Sequence, residues 1–428
     1  MSELLDRLDA EQRDWLRRCG EMAVTRGGRA YLVGGSVRDL VLKREHADLD
    51  VVVEGDGMGV AQDLARALGG DLRRHHAFQT AIVTTPAGLR FDLATARCEE
   101  YGRPGQLPQV VPGSLEDDVE RRDFTINTMA ISLSEDDFGA FFDPRGGRAD
   151  LEAGLIRVMH ARSFADDPTR VLRALRFSVR FGYAIEPETQ AWMHDAITGG
   201  YLDTVSGGRV RKELMLIFTE APVRGPVRLE AEGALAAVRP GLRADERRLR
   251  DLQDLVTWQR DEGETESMPS EAGDWVLVLA SCAADLSPQE RWSVARHLRL
   301  SRAERSPLID GGAPWRSAIA ELAAAPTPPR NSVVERAFRG LDRGALLVAA
   351  VTLGSDVALA GSVRAYLADL HGTEPELGGA DLKELGVPEG PQMGEFLEKL
   401  RAAKLDGDAA SAADERRLVS DWLAENPL

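Results

Sequence analysis

The stretch Tyr31 to Glu54, YLVGGSVRDLVLKREHADLDVVVE, constrains this chain more than any other. An apolar run leads into Gly34-Gly35, the charged pair Arg38-Asp39 follows, and Asp48 and Asp50 then stand one residue apart. On a strand, side chains at i and i+2 share a face, so Leu49 points into a core and the two aspartates stand side by side on the other face. Two carboxylates that close repel each other, and a divalent cation between them relieves the repulsion. Oxygen ligands of this kind suit Mg²⁺, which takes one or two carboxylates together with substrate phosphates. Upstream, Gly34 and Gly35 let backbone N–H groups approach a phosphate, and Arg38 brings a planar cation to it. A glycine turn followed by a strand with merely solvated aspartates is the alternative. The G-G-x-V-R-D run just ahead of the pair outweighs it.

With 428 residues the chain is too long for one ordinary core, and about two to four domains are expected. No window approaches the roughly 18 uninterrupted apolar residues of a membrane span. The charged, amphipathic N-terminus is unlike a signal peptide. Cys19, Cys98 and Cys282 are odd in number and far apart, which favours a reducing cytoplasm and excludes a zinc ribbon. The net charge of −17 argues against indiscriminate nucleic-acid binding, yet six arginines face two acidic residues between Arg157 and Arg180.

In chain order, residues 1–28 read as one amphipathic helix, 29–34 as a strand, Val37–Leu42 as the start of a helix and 47–54 as the carboxylate strand. Met58–Leu68 reads as helix, with Thr80–Thr84 and Leu89–Ala94 as strands joined by Pro86-Ala87-Gly88. Strands with interspersed helices predict an α+β head on a small mixed sheet. LRFDLATAR places Asp92 on a polar face, where it can complete a metal site or act as general base toward a hydroxyl; a solvated strand aspartate is the other reading. Residues 98–120 read as a long loop. Arg121-Arg122-Asp123-Phe124-Thr125-Ile126-Asn127 reads as a helix start, where arginines oppose the macrodipole. An anion such as triphosphate offsets them, or Glu116, Asp117 and Asp118 do. Residues 138–160 read as strand-turn-strand.

From Asp166 the chain turns helical, with Asp167 as N-cap and Pro168 in the first position. Arg170, Arg173, Arg176 and Arg180 form one stripe with few neutralising acids, which favours an anionic ligand over a solvated face. Ser206-Gly207-Gly208-Arg209 opens a helix carrying Glu213. Beyond about residue 222 the pattern is helical, with acidic (261–273) and Pro-rich (325–330) linkers. Residues 379–405 read as helix, Gly/Pro turn, helix: either an ordinary hairpin or one offering N–H groups to a phosphate backbone.

With these residues in place, the chain resembles the bacterial tRNA nucleotidyltransferases of the class II CCA-adding and poly(A) polymerase family. GGSVRD with DLD, FDLATAR, RRDFTINTMA, DPRGGRADLEAGLIRV, DDPTRVLRALRF and SGGRVRKEL occur in family order over roughly residues 30–220. GADLKELGVPEGPQMG resembles the family's C-terminal element more loosely. The resemblance implies a DNA polymerase β-like head (1–155), a helical neck with a base-templating motif (156–222), a helical body (223–370) and a tRNA-binding tail (371–428). By position, Asp48 and Asp50 match the metal pair, Gly34, Gly35 and Arg38 the phosphate loop that Asp39 supports, and Arg121, Arg122, Asp123 and Asn127 the triphosphate and ribose motif. Asp167 and Arg170 match the pair that hydrogen-bonds the incoming base, and Arg173 and Arg176 would face the triphosphate. Asp166 stands where the family has glutamate, a longer brace.

The activity so implied is template-independent addition of CCA, or of its terminal A, to tRNA from CTP and ATP. It uses two Mg²⁺ ions and releases pyrophosphate, in the cytoplasm and away from membranes. The passages EEYGRPGQLPQVVPGSLEDDVERRDF and FADDPTRVLRALRF look especially like A-adding members, which act with a complementary CC-adding enzyme. CC-only addition, poly(A) synthesis, small-molecule nucleotidyl transfer and an inactive RNA-binding protein are weaker alternatives. His194-Asp195, the single His-Asp pair among seven histidines, reads as structural because a phosphohydrolase needs a spaced H…HD…D set.

Overall fold

The computed structural model describes residues 2–44, 48–75, 78–100, 102–103, 105–106, 108–261, 273–309, 314–353 and 356–425. The chain forms two compact units, Met1–Glu213 with Ala231–Val238, and Leu214–Glu230 with Arg239–Leu428. The expected acidic linker lies almost wholly outside the described residues.

The first unit opens with a 3-10 turn at Ser2–Arg7 and helix α1 (Ala10–Thr25), in place of one continuous helix. The break comes from Asp9, which accepts from the Gln12 amide while the Gln12 side chain returns to the Asp9 amide, closing a capping box. Then follow β1 (Arg29–Val33), α2 (Gly34–Val41), β2 (Asp48–Glu54), α3 (Gly57–Leu68), β3 (Asp71–His75), β4 (Thr80–Thr84) and β5 (Arg90–Thr95). With β6 (Arg97–Glu100), β7 (Gln109–Pro112), α4 (Leu115–Glu120), β8 (Ala130–Ser132) and β9 (Phe141–Phe142) they complete the head. Seven strands form one sheet in the order β3-β4-β5-β2-β1-β8-β9. β2 and β5 run parallel and the other neighbours antiparallel, so the sheet is mixed as expected.

Alternation along the strands decides which face carries chemistry. Leu49, Val51 and Val53 of β2 and Phe91 and Leu93 of β5 are buried on the side where α3 packs. The opposite face is divided. At one end Tyr31, Val33 and Val52 pack against Leu115 and Val119 of α4. At the other, Asp48 and Asp50 remain half-exposed.

Three expectations need correction. Residues 98–120 are not one loop: β6 pairs with β7, and α4 follows, nucleated by a Ser114–Asp117 capping box and an acidic first turn. Arg121 to Asn127 do not begin a helix. Arg121 is the C-cap of α4, only Thr125–Asn127 form a 3-10 turn, and Ala130 enters β8 because its neighbours pair with β1. The 138–160 passage carries a helix, α5 (Gly147–Ala153), between β9 and β10 (Leu155–Ile156), since Asp143 accepts from the Gly147 and Arg148 amides and so caps its first turn.

After α6 (Ser163–Asp166), helix α7 (Thr169–Phe181) buries Val171, Leu172 and Leu175 and stops at Gly182, whose φ of +73° suits glycine. Asp167 sits one residue earlier than the N-cap position, which Pro168 fills, yet its side chain still accepts from the Thr169 amide at 3.0 Å. β11 (Ala184–Ile185), α8 (Pro187–Thr198) and α9 (Gly207–Glu220) follow.

The second unit is helical throughout its described residues. Its core includes the wholly buried helix Trp275–Cys282 and most of Arg343–Thr352. Near the C-terminus Leu382, Val387, Phe396, Leu400 and Val419 form a separate cluster. Among the described residues no helix is long and apolar enough to cross a membrane. The three cysteines are unpaired, and burial pushes the Cys19 and Cys282 thiols up to about 12.

Candidate active site

The site is organised by the β1–α2 corner. Gly34 has φ +66° and opens α2, and a Cβ there would stand 2.7 Å from Arg122 Nη1. Neither the conformation nor the space suits a larger residue. Ser36, on the first turn of α2, accepts from the Asp50 amide at 2.8 Å and donates to the Asp48 carbonyl at 3.1 Å. One hydroxyl thus ties the helix to the carboxylate strand. Nothing in its spacing marked Ser36 beforehand.

Pairing of β2 with β5 sets Asp50 beside Asp92 and Asp48 beside Arg90. Burial, with Asp92 and then Asp48 close by, pushes the Asp50 carboxyl up to about 6 against the opposing pull of Arg122. Arg90 donates to both Asp92 oxygens at 2.8 and 2.7 Å and lies 3.6 Å from Asp48. The donor set that faces the cavity is oxygen-only and over-supplied with negative charge at Asp50, which suits a hard divalent cation. No group of three His, Cys, Asp or Glu side chains with metal-holding geometry occurs among the described residues. The fit is therefore of two carboxylates completed by phosphate oxygens and water, as Mg²⁺ sites usually are.

A cavity of about 640 Å³ lies over this corner. Of the residues singled out from sequence, Gly34, Gly35, Arg38, Asp50, Asp92, Arg121, Arg122, Asp123, Asn127, Asp167, Arg170 and Arg173 line it. Asp48, Asp39 and Arg176 are not among its lining residues, although Asp48 shares the face of Asp50.

Arg121, Arg122, Arg173 and Arg176 meet acids within the protein: for the first two the alternative of pairing with the α4 acids holds, through Asp118, and the α7 stripe is less short of neutralising acids than its own sequence suggests. Asp118, fully buried, accepts from both Arg121 and Arg122, the latter at 3.0 and 2.7 Å. Because the two arginines sit at the C-terminal end of α4, the macrodipole favours them. Burial alone would raise the Asp118 carboxyl, but these two guanidiniums hold it below the usual carboxylate range. On α7, Arg173 donates to Asp123 at 2.9 Å and to Glu213 at 3.4 Å, and Arg176 lies 3.3 Å from Glu213. Burial would likewise raise Asp123, yet Arg173, the Asn127 amide and Arg170 hold it far below the usual range. The acids of the stripe lie some 40 to 50 residues away in sequence.

The remaining donors are fixed just as firmly. Arg38 is buried and donates to Asn127 Oδ1 at 2.7 Å and to Asp39 at 2.9 Å. Asn127 turns its amide to Asp123 at 2.9 Å, so one side chain couples the phosphate loop to the Asp123 network. Asp167 accepts from Thr169 through Oδ1 and from Arg209 through Oδ2, the latter at 2.7 Å. Arg170 is buried and donates to the Arg121 carbonyl at 2.6 Å. Arg209 and Glu213 join Ser36 as residues on which the site depends without having been chosen for it, and Asp118 is the one of the three candidate α4 acids that holds both arginines. The arrangement can bind a polyanion at the glycine corner and present one carboxylate and one guanidinium to a flat, hydrogen-bonding edge.

The poly A polymerase head domain matches residues 30–157. An A-adding tRNA nucleotidyltransferase of Geobacter sulfurreducens is 36% identical over 396 residues, 91% of this chain and 44% of that protein. A CC-adding tRNA nucleotidyltransferase of Deinococcus radiodurans is 32% identical over 398 residues, 92% of this chain and 90% of that one. This chain belongs to the tRNA nucleotidyltransferase family. Among solved structures, the Thermotoga maritima CCA-adding enzyme complexed with tRNA superposes with a TM-score of 0.80 at 30% identity, covering 98% of this chain and 97% of that one. Against the A-adding tRNA nucleotidyltransferases the chain spans about half of their length or less: 44%, 51% and 23%.

Proposed function

We propose that this protein transfers nucleotides from CTP and ATP to the 3′ end of tRNA without a nucleic-acid template, building CCA or its terminal A and releasing pyrophosphate. The observation that carries the reading is that one cavity is lined by the glycine corner, Asp50, Asp92, Arg122 and the Asp167–Arg170 pair. In the reaction the RNA 3′-hydroxyl oxygen bonds to the α-phosphorus, the bond from that phosphorus to the bridging oxygen breaks, and pyrophosphate carries the electron pair away.

Asp48 and Asp50 would hold two Mg²⁺ ions. Bound there, the metal supplies Lewis acidity that lowers the pKa of the attacking hydroxyl and offsets charge on the pyrophosphate. Asp92 accepts the hydroxyl proton; both its oxygens are bonded to Arg90, but each keeps a lone pair for a further hydrogen bond. Gly34, Gly35, Arg38 and Arg122 orient the triphosphate, and Arg121, Asp123, Asn127, Arg173 and Arg176 form the charge network behind it. Asp167 and Arg170 read the base edge, accepting C or A through their donor–acceptor patterns and disfavouring G and U. A soluble cytoplasmic protein acting on tRNA fits the absence of any membrane-crossing helix among the described residues. The head, neck, body and tail divisions at 155, 222 and 370 belong to the same proposal.

A specific observation favours addition of the terminal A alone. The Geobacter sulfurreducens A-adding tRNA nucleotidyltransferase is 36% identical over 396 residues, against 32% over 398 for the Deinococcus radiodurans CC-adding protein. Such an enzyme would work beside a CC-adding partner. The deciding experiment is extension of three tRNAs, ending before CCA, after C or after CC, with CTP and ATP supplied separately and together. Full extension of all three identifies CCA addition, and a single A on the CC-ended tRNA identifies A addition. No extension of any of them with Mg²⁺ present overturns the proposal.

A further inference from the structure

Phe177 of α7 is 4% exposed and lines the candidate active-site cavity, yet nothing in the proposed reaction calls for an aromatic ring there. Three guanidiniums gather on that ring. Arg38 of α2 has its Cζ 5.6 Å from the ring centroid, Arg173 at 5.6 Å and Arg176 at 4.8 Å. All lie inside the roughly 6 Å at which a ring face attracts a cation. The ring is itself held. Phe124 meets it edge-on at 5.7 Å and 84°, and Phe181 stacks on it at 5.7 Å and 16°.

The polar partners of these arginines take guanidinium edges. Arg38 gives Nε to Asp39 and Nη1 to Asn127, and Arg173 gives Nε to Asp123 and Nη1 to Glu213. Arg176 Nε lies 3.3 Å from Glu213. Hydrogen bonds along an edge act in the plane of the guanidinium, whereas a ring against its face opposes tilting out of that plane. One turn serves both ends of this arrangement: Asp123 holds the edge of Arg173, and the next residue, Phe124, buttresses the ring. Apolar packing in place of buried charges is often neutral or stabilising, so stability alone does not call for three cations on one ring.

We propose that Phe177 is a positioning residue for nucleotide transfer: its ring face fixes the planes of Arg38, Arg173 and Arg176 and so links the triphosphate corner on α2 to the base-reading helix α7. The inference rests on the nucleotidyltransferase reading above and adds a residue that acts through its arginines. Arg38 carries the effect to the substrate, because it is buried beside Gly35 at the corner that orients the phosphates. Every nucleoside triphosphate shares those phosphates, so the ring serves triphosphate binding whatever the base.

The test replaces Phe177 in the full-length protein by phenylalanine bearing one, two or three ring fluorines, which keep the shape of the ring while draining negative charge from its face. The trifluoro ring is expected to raise the ATP KM and the inhibition constant of inorganic tripolyphosphate alike, by about tenfold, and to leave the acceptor-tRNA KM within about twofold. The mono- and difluoro rings are expected to fall between, in order, and unmodified phenylalanine introduced by the same route to restore wild-type values. Phe177→Leu, which keeps apolar bulk and removes the face, is expected to match the trifluoro ring. If the ring only packs, fluorination shifts the denaturant midpoint without moving the ATP KM or tripolyphosphate inhibition. That result, an ATP KM that falls with fluorination, or a wild-type ATP KM in Phe177→Leu overturns the proposal. A wild-type protein that neither binds ATP nor extends tRNA overturns the nucleotidyltransferase reading beneath it.

Discussion

Replacing Asp50 by asparagine is expected to make the metal-free head more stable. In the fold the Asp50 carboxyl is pushed from 3.8 up to about 6, first by burial and then by Asp92 and Asp48. The folded head thus binds this proton more tightly than the unfolded chain does, and the ionised carboxylate opposes folding. The opposition is absent below about pH 4, grows between about pH 4 and 6, and is complete above about pH 6. About two pH units at about 1.4 kcal/mol each set a ceiling near 3 kcal/mol. Asp50 is only half-buried, and the water on its open side reduces this to about 1–2 kcal/mol. Hydrogen exchange of the β2 amides reads the effect locally, without requiring the whole chain to unfold in one step. In EDTA at pH 7.5, Asp50→Asn is expected to slow exchange roughly 5- to 30-fold. At pH 4.5 most of that gain is expected to vanish. Millimolar Mg²⁺ is expected to slow exchange in the wild type and to have little effect on the variant. Equal or faster exchange in the variant at pH 7.5, or the same gain at both pH values, refutes the reasoning.

Gly34→Ala combines a φ of +66° with a Cβ 2.7 Å from Arg122 Nη1, and is expected to weaken nucleotide binding at least tenfold in a titration while far-ultraviolet circular dichroism stays unchanged. Asp118→Ala removes the buried carboxylate shared by Arg121 and Arg122, and is expected to raise the nucleotide KM and cost about 3 kcal/mol in denaturant unfolding of the head. Glu213→Ala leaves Arg173 and Arg176 without their shared acid and is expected to cost about 3–5 kcal/mol, whereas Glu213→Gln costs less because it keeps an acceptor. Arg209→Ala frees one oxygen of Asp167 and is expected to narrow the preference for ATP over GTP in single-nucleotide extension, with a smaller effect on the triphosphate KM.

The carboxylate strand, the glycine corner and the β4–β5 pair were legible because each depends on neighbours within a few residues. Leu49 between Asp48 and Asp50 fixes their common face by the period of a strand, and Gly34-Gly35 announces a turn wherever it stands. β3 was not legible. Its sequence, Asp71-Leu72-Arg73-Arg74-His75, carries one apolar residue, since an edge strand open on one side has little hydrophobic pattern to show. The helix misplaced at Arg121 has a similar origin: Phe124-Thr125-Ile126-Asn127 suits either a turn or a helix, and pairing of Ala130–Ser132 with β1 decides between them.

By itself the sequence determined which residues carry charge and which local stretches present them, including Asp48 with Asp50, Asp92, and the arginines of Arg121-Arg122 and α7. Only the tertiary structure decided what those charges meet. Arg173 of α7 finds Asp123 and Glu213 from segments 40 to 50 residues away, Arg176 lies beside the same Glu213, and Arg121 and Arg122 share one buried Asp118. Helical and strand periods act over a few residues, whereas ion pairing in a buried site is set by which distant segments the core brings together.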